Sequence, residues 1–173
     1  KTLKKFKLFY AKELIVINGR SFDNFKENKY NISEDKIVLL NSEVNHPQFV
    51  AIRGYWNKDK IKRHYGYLNV LLKNLSELYN KEVIVCLHPK QNLNNAIKYF
   101  PDFKVTQFQT RENIYAASVV LNFDSTAVID AILLKKNIIT IYADLLNETY
   151  TKKEKFFLDE QDFYTINIDE NFD

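Results

Sequence analysis

Short apolar runs alternate along the chain with segments whose apolar residues follow helical spacing. From Val83 to Leu87 five apolar residues come together, and the run stops at His88-Pro89. A continuous run of this length is typical of a strand buried on both faces, as in a parallel sheet. Since proline has no N–H to continue a strand ladder, we predict a strand over residues 82–87 that ends there.

A long amphipathic helix precedes that strand. Its apolar positions recur every three or four residues, at Tyr65, Leu68, Leu71, Leu72, Leu75, Leu78 and Tyr79. Asn57 or Asp59 is a suitable residue to begin this helix, and Asn80 is a suitable residue to end it. We predict a strand over residues 49–52, so the three elements form a right-handed strand–helix–strand unit.

The rest of the chain continues the same alternation. Further strands are predicted over 14–17, 37–40, 103–108, 118–122, 137–142 and 163–168, and further helices over 92–100, 110–117, 125–135 and 151–160. This alternation favours an α/β fold, Rossmann-like, with a mostly parallel sheet and helices on both faces. The first part fits least well. We therefore divide the chain into an N-terminal segment, 1–48, that belongs or connects to a preceding domain, and a Rossmann-like domain, 49–173.

Composition narrows the class of protein. A chain of 173 residues can form one full core, and 46% hydrophobic and 14% aromatic residues are typical of a globular protein. The net charge of +3 is too small to indicate nucleic-acid binding. The one cysteine, Cys86, lies inside the predicted strand, so we interpret it as a small core residue of a cytoplasmic protein. No run approaches the ~18 apolar residues of a membrane span.

The first ten residues, Lys1 to Tyr10, are basic and amphipathic. They lack the unbroken apolar core and the cleavage site of a signal peptide. Two interpretations stand. The segment is a solvated helix face or linker, or it contacts an anionic membrane surface and makes the protein peripheral at the inner face of the membrane.

His88, Pro89 and Lys90 carry the first candidate chemistry. They follow the strand over 82–87, and ligands of open parallel sheets bind at the carboxyl ends of the strands. A histidine can donate a hydrogen bond to phosphate or ribose oxygens, and a lysine adds positive charge. The alternative is a histidine that caps loop carbonyls beside a solvated lysine.

Asp124, Ser125 and Thr126 form the second candidate, between the predicted strand 118–122 and the predicted helix 125–135. All three are good N-cap residues, and the N–H groups of a helix start can bind an anion. We expect strand 118–122 to neighbour strand 82–87, which would bring both candidates to one phosphate. The alternative is an ordinary helix cap.

Further candidates are weaker. In the loop Gly54-Tyr55-Trp56, the only tryptophan of the chain either stacks on a base or sugar or covers the sheet edge. Thr110 and Glu112 follow another strand and are placed to reach a base or ribose. His46 is interpreted as structural, and His64 as a surface or partly buried residue of the long helix.

The sequence lacks the residues that several common kinds of binding or catalytic site require. Only three glycines are present, Gly19, Gly54 and Gly66, so neither a dinucleotide fingerprint nor a Walker loop can be formed. No hydrolase elbow and no metal-ligand cluster stand out. We therefore predict no metal and no cofactor, and assign no catalytic residue.

Residues 49–145 resemble the C-terminal half of GT-B glycosyltransferases of bacterial surface-polymer synthesis. The resemblance rests on two segments. The first is a strand that ends at His88-Pro89, and the second is a later strand that is followed by Asp124-Ser125-Thr126 and a helix. Similar enzymes are the CDP-glycerol glycerophosphotransferases of teichoic acid synthesis, capsule polysaccharide transferases, and bacterial sialyl- and polysialyltransferases. Where the teichoic acid enzymes often carry Thr-Trp-Arg, only Trp56 matches.

The resemblance implies a function for the domain. The histidine of His-Pro and the later hydroxyl residues hold the nucleotide's phosphates in that set, which implies this role for His88, Ser125 and Thr126. The ligand would be a sugar or glycerol donor activated by CMP or CDP. The other partners would be a glycan acceptor and an N-terminal domain that carries the acceptor site and often the catalytic base. Two alternatives remain, a non-catalytic binding or assembly module and an enzyme similar to UDP-GlcNAc 2-epimerases. The epimerases carry Asp-Ser-Gly-Gly where this chain has Asp124 to Ala127.

Overall fold

The structure is a computed structural model, and it describes residues 34–44, 50, 56–143 and 164–169. In these parts the strands are β1 Lys36–Asn41, β2 Glu82–Leu87, β3 Lys104–Gln107, β4 Ala117–Phe123, β5 Asn137–Tyr142 and β6 Tyr164–Asn167. The helices there are α1 Lys58–Tyr79, α2 Leu93–Tyr99, α3 Thr110–Ala116 and α4 Val128–Leu133. The strands form one six-stranded sheet in which each neighbouring pair is parallel. The predicted α/β, Rossmann-like fold is confirmed.

Most predicted elements are found close to their predicted positions. The predicted strands that correspond to β1–β6 and the predicted helices that correspond to α1–α3 each overlap the observed element. The helix predicted over 125–135 is shorter, because α4 begins at Val128 and ends at Leu133. The strand over 14–17 and the helix over 151–160 lie outside the described residues. Of the strand predicted over 49–52 only Val50 is described, and it is helical.

Helix α1 has the caps and the apolar face that its sequence predicts. The Asn57 side chain accepts a hydrogen bond of 2.9 Å from the Lys60 N–H, and Asn80 ends the helix in the left-handed conformation at φ 50°. Asparagine is one of the few non-glycine residues that adopt this conformation readily. The buried face consists of His64, Tyr65, Leu68, Leu71 and Leu72.

Helices cover both faces of the sheet. Alternate side chains along a strand point to opposite faces. On β1, Leu39 packs on the side of α1 and α2, whereas Val38 and Leu40 pack on the side of α3 and α4. These three residues of β1 are at most 1% exposed, as expected for the centre of a sheet.

Strand β1 is the centre of the sheet. It pairs with β2 on one side and with β4 on the other, in the order β3-β2-β1-β4-β5-β6. Residues 36–41 therefore belong to the same sheet as residues after 49, and the sheet extends across the predicted boundary between 48 and 49.

The expectation that the strand before Asp124 neighbours the strand before His88 is wrong. Strand β1 lies between β2 and β4, because the chain winds from β1 outward to β3 and then returns to the other side of β1. The order therefore reverses between β1 and β4. Open α/β sheets bind ligands in the crevice at such a reversal, beyond the carboxyl ends of the strands. In the described part of the chain no helix is both long and apolar enough to cross a membrane.

Candidate functional site

Four strand ends define the carboxyl edge around the reversal. In spatial order they are β3, β2, β1 and β4, and the residues that follow them are Phe108, His88, Ser42 and Asp124. Neighbouring strands lie about 4.8 Å apart. The structure thus brings both predicted candidates to one edge, with β1 and its own polar end between them.

His88, Pro89 and Lys90 are exposed directly beyond β2. The His88 Nδ1 accepts a hydrogen bond of 3.2 Å from the Lys90 N–H. Because Nδ1 is an acceptor, a neutral His88 carries its proton on Nε2, and this N–H group can donate to a ligand oxygen. The side chain is therefore oriented by the backbone of its own loop.

Two glutamines hold this loop in place. The His88 N–H donates to Gln91 Oε1 at 2.8 Å, and the Gln91 side chain is buried. From the last residue of β3, Gln107 Nε2 lies 3.3, 3.1 and 2.9 Å from the carbonyl oxygens of His88, Pro89 and Gln91. Sequence reasoning missed both residues. A glutamine at the end of a strand is common, so the sequence alone does not predict that its side chain hydrogen-bonds to the His88 loop.

The turn after β4 differs from the prediction. Asp124 adopts the left-handed conformation at φ 51°, and helix α4 begins only at Val128, with Ala127 before it. The Ala127 N–H donates to Ser125 Oγ, the Val128 N–H donates to the Ser125 carbonyl, and the Ile129 N–H donates to the Thr126 carbonyl.

The predicted row of open N–H groups at this helix start is therefore wrong. The Ser125 side chain and two bonds that each span three residues already satisfy these groups, so they do not form an anion site. Instead of open N–H groups, this turn carries hydroxyl groups. Ser125 is half-buried and Thr126 is exposed, and Ser125 Oγ, which accepts from Ala127, can still donate its own hydrogen.

The end of β1 supplies polar residues that sequence reasoning missed. Asn41 is 2% and Ser42 6% exposed, and Ser42 Oγ donates a hydrogen bond of 2.7 Å to the Asp124 carbonyl. Both follow the apolar run over 37–40. They are therefore polar residues at the carboxyl end of a buried strand, as His88 is. The sequence predicts a separate N-terminal segment over 1–48, and so does not place Asn41 and Ser42 at this edge.

Trp56 and His64 lie in the core below this edge. Trp56 is 1% exposed, so its ring covers the sheet and is not an exposed surface for a base or sugar. His64 is fully buried, which corrects its predicted surface or partly buried position. Its ring centre lies 5.2 Å from that of Trp56 and 4.8 Å from that of Phe123. Gly54, Tyr55 and His46 lie outside the described residues.

Thr110 and Glu112 lie at the start of α3, beyond the end of β3. Thr110 is half-buried and Glu112 is exposed. Between them in sequence, Arg111 contacts Asp130 of α4 at 3.5 Å, which holds the two helices together. Both candidate residues are thus at the start of a helix that contacts α4, the helix that follows the Ser125 turn.

Comparison with protein-family models and with curated proteins found no match for this chain. Among the described residues no group of three or more His, Cys, Asp or Glu side chains is placed to hold a metal ion. The fold itself defines the class, an α/β, Rossmann-like domain with hydroxyl, imidazole and amide groups at the reversal of its sheet.

Proposed function

We propose that this domain binds the nucleotide-activated donor of a glycosyltransferase or glycerophosphotransferase of bacterial surface-polysaccharide synthesis. One observation carries the proposal. His88, Ser42 and Ser125 follow β2, β1 and β4, three adjacent strands at the reversal of strand order. Ligands of open α/β sheets bind in that crevice.

The separation of these groups suits a diphosphate. Two strand spacings, about 10 Å, separate the ends of β2 and β4. The His88 imidazole would donate to phosphate oxygens from one side, and the Ser125 and Thr126 hydroxyls from the other. Lys90, exposed beyond Pro89, adds a positive charge that strengthens binding of an anion.

The same groups would assist transfer of the activated sugar or glycerol. When the donor bond breaks, negative charge develops on the leaving phosphate. Hydrogen-bond donors held in place around that charge lower the barrier of the reaction. The preference for a cytidine nucleotide and the need for a partner domain that carries the acceptor site rest on the family resemblance. The groups at this edge would hold the diphosphate of a UDP-sugar as well, so the epimerase and assembly-module alternatives are separated from the transferase by the binding experiment and not by this geometry.

Titration calorimetry tests the proposal with CMP, CDP, UDP and ADP in parallel. We expect a cytidine nucleotide to bind most tightly, and His88→Ala to weaken it at least about tenfold through loss of a charge-assisted hydrogen bond. Lys90→Ala should weaken it less. Lys98→Ala, an exposed lysine on α2, is the matched control and should change nothing. Unchanged affinity in His88→Ala and in Ser125→Ala would reject the site.

A further inference from the structure

Phe108 is exposed under conditions that disfavour a phenylalanine. It follows β3 directly, the residue is 73% exposed, and its φ is 68°. A single exposed apolar side chain is ordinary, but a bulky residue at positive φ is uncommon and strains the backbone. Local strain of this kind concentrates at ligand sites. Glycine or asparagine would fit this turn better, and neither is present.

The ring lies beside the predicted phosphate site. Leu87 of β2 and Gln107 of β3 are register partners in parallel strands, so His88 and Phe108 follow them on neighbouring strands. The Gln107 amide, which contacts three carbonyls of the His88 loop, joins the two strand ends. Phe108 therefore lies next to a part of the edge that hydrogen bonds hold in place. A nucleotide whose phosphates contact His88 would have its base at this position, one strand beyond His88.

We propose that Phe108 is the platform on which the base of the bound nucleotide stacks, an inference that rests on the proposed function. Every base has an apolar π face, and stacking on an aromatic ring does not depend on which base it is. The distance from the end of β3 to the end of β4 is three strand spacings, about 14 Å. An extended nucleoside diphosphate can span it, with the base at Phe108 and the phosphates between His88 and Ser125.

Calorimetry with two ligands, CDP and inorganic pyrophosphate, separates the base from the phosphates. Phe108→Ala should weaken the binding of CDP about tenfold, which is the usual contribution of one stacked base. The affinity for pyrophosphate should stay within about twofold of that of the parent. Phe108→Trp should keep or improve CDP binding. Tyr164, at the start of β6, is an exposed aromatic residue as well, at 80%, and Tyr164→Ala should have no effect on the binding of either ligand.

Phe108→Gly distinguishes a platform from a packing residue. Glycine relieves the positive φ, so this variant should melt at the same or a higher temperature than the parent and still lose CDP affinity. If CDP binds and depends on His88 but is unchanged in the Phe108 variants, the platform is wrong and the proposed function stands. Equal weakening of CDP and pyrophosphate also rejects the platform. If the parent chain binds neither ligand, both proposals are wrong.

Discussion

The Ser42 hydroxyl donates a 2.7 Å hydrogen bond to the backbone carbonyl of Asp124 and so joins the ends of β1 and β4 where the strand order reverses. The same two strands are joined in the same way at their other end, where Ser118 Oγ donates to the Lys36 carbonyl at 3.0 Å. The chain thus contains two serine-to-carbonyl bonds between one pair of strands, one at the candidate site and one far from it.

Ser42→Ala and Ser118→Ala therefore form a matched pair. Each should lower the free energy of unfolding by about 1 kcal/mol, the usual net value of one hydrogen bond, as measured by urea denaturation. Only Ser42→Ala should also weaken nucleotide binding, because Asp124 precedes the Ser125 turn. Equal nucleotide affinity in the two variants would show that this bond has no part in the site.

Gln107→Ala tests the brace of the His88 loop. Three carbonyl oxygens lose their contact with Nε2, so amide exchange over residues 88–91 should become faster and nucleotide affinity should fall. Gln109→Ala is the control, since Gln109 is exposed and makes no side-chain cap bond to α3. Exchange that remains as slow as in the parent would mean that the loop keeps its structure without Gln107.

Lys135→Gly should stabilise the protein. Lys135 follows α4 at φ 54°, a conformation that costs a residue with a Cβ about 1 kcal/mol and costs glycine little. Asn80, at φ 50° after α1, is the comparison, because asparagine tolerates this conformation better. Thermal melting should therefore rise more in Lys135→Gly than in Asn80→Gly. A lower melting temperature for Lys135→Gly would mean that its side chain contributes more than the backbone strain removes.

Because of Cys86, the free energy of unfolding should fall as the pH rises in the alkaline range. Burial raises the pKa of this thiol above its usual 9.0, and the hydrogen bonds with Thr106 and Asn113 offset only part of that effect. Above pH 9 the unfolded chain loses the proton and the folded chain keeps it. The free energy of unfolding therefore falls as pH rises, by at most about 1.4 kcal/mol per pH unit.

Urea denaturation of the parent and of Cys86→Ala at pH 8 and pH 10 isolates this effect. Among the described residues, burial also shifts the pKa of Tyr65 and of Lys136, and both groups are common to the two proteins. Burial raises the pKa of Tyr65, which adds to the loss of stability, and lowers the pKa of Lys136, which opposes it. The parent should lose more stability than the variant between the two pH values. An equal loss in both would show that Cys86 does not ionise differently in the two states.

Much of the fold was predictable from local patterns. Apolar runs such as Val83 to Leu87 marked the buried strands, and Asn57 and Asn80 marked the ends of α1, because each signal lies within a few residues of sequence. His88 and Ser125 were predicted as candidates because polar residues that follow a buried strand stand out in a sequence. Ser42 follows the same rule and was missed.

The relations between distant residues required the folded chain. That β1 lies between β2 and β4 depends on pairing between segments 46 and 82 residues apart, and no local pattern records which strand returns to which side. The burial of Trp56 and His64, the brace from Gln107 and the exposure of Phe108 depend in the same way on which elements pack together. Hydrophobic period specifies which residues form strands and helices, whereas the order of the strands specifies which of their ends meet to form a site.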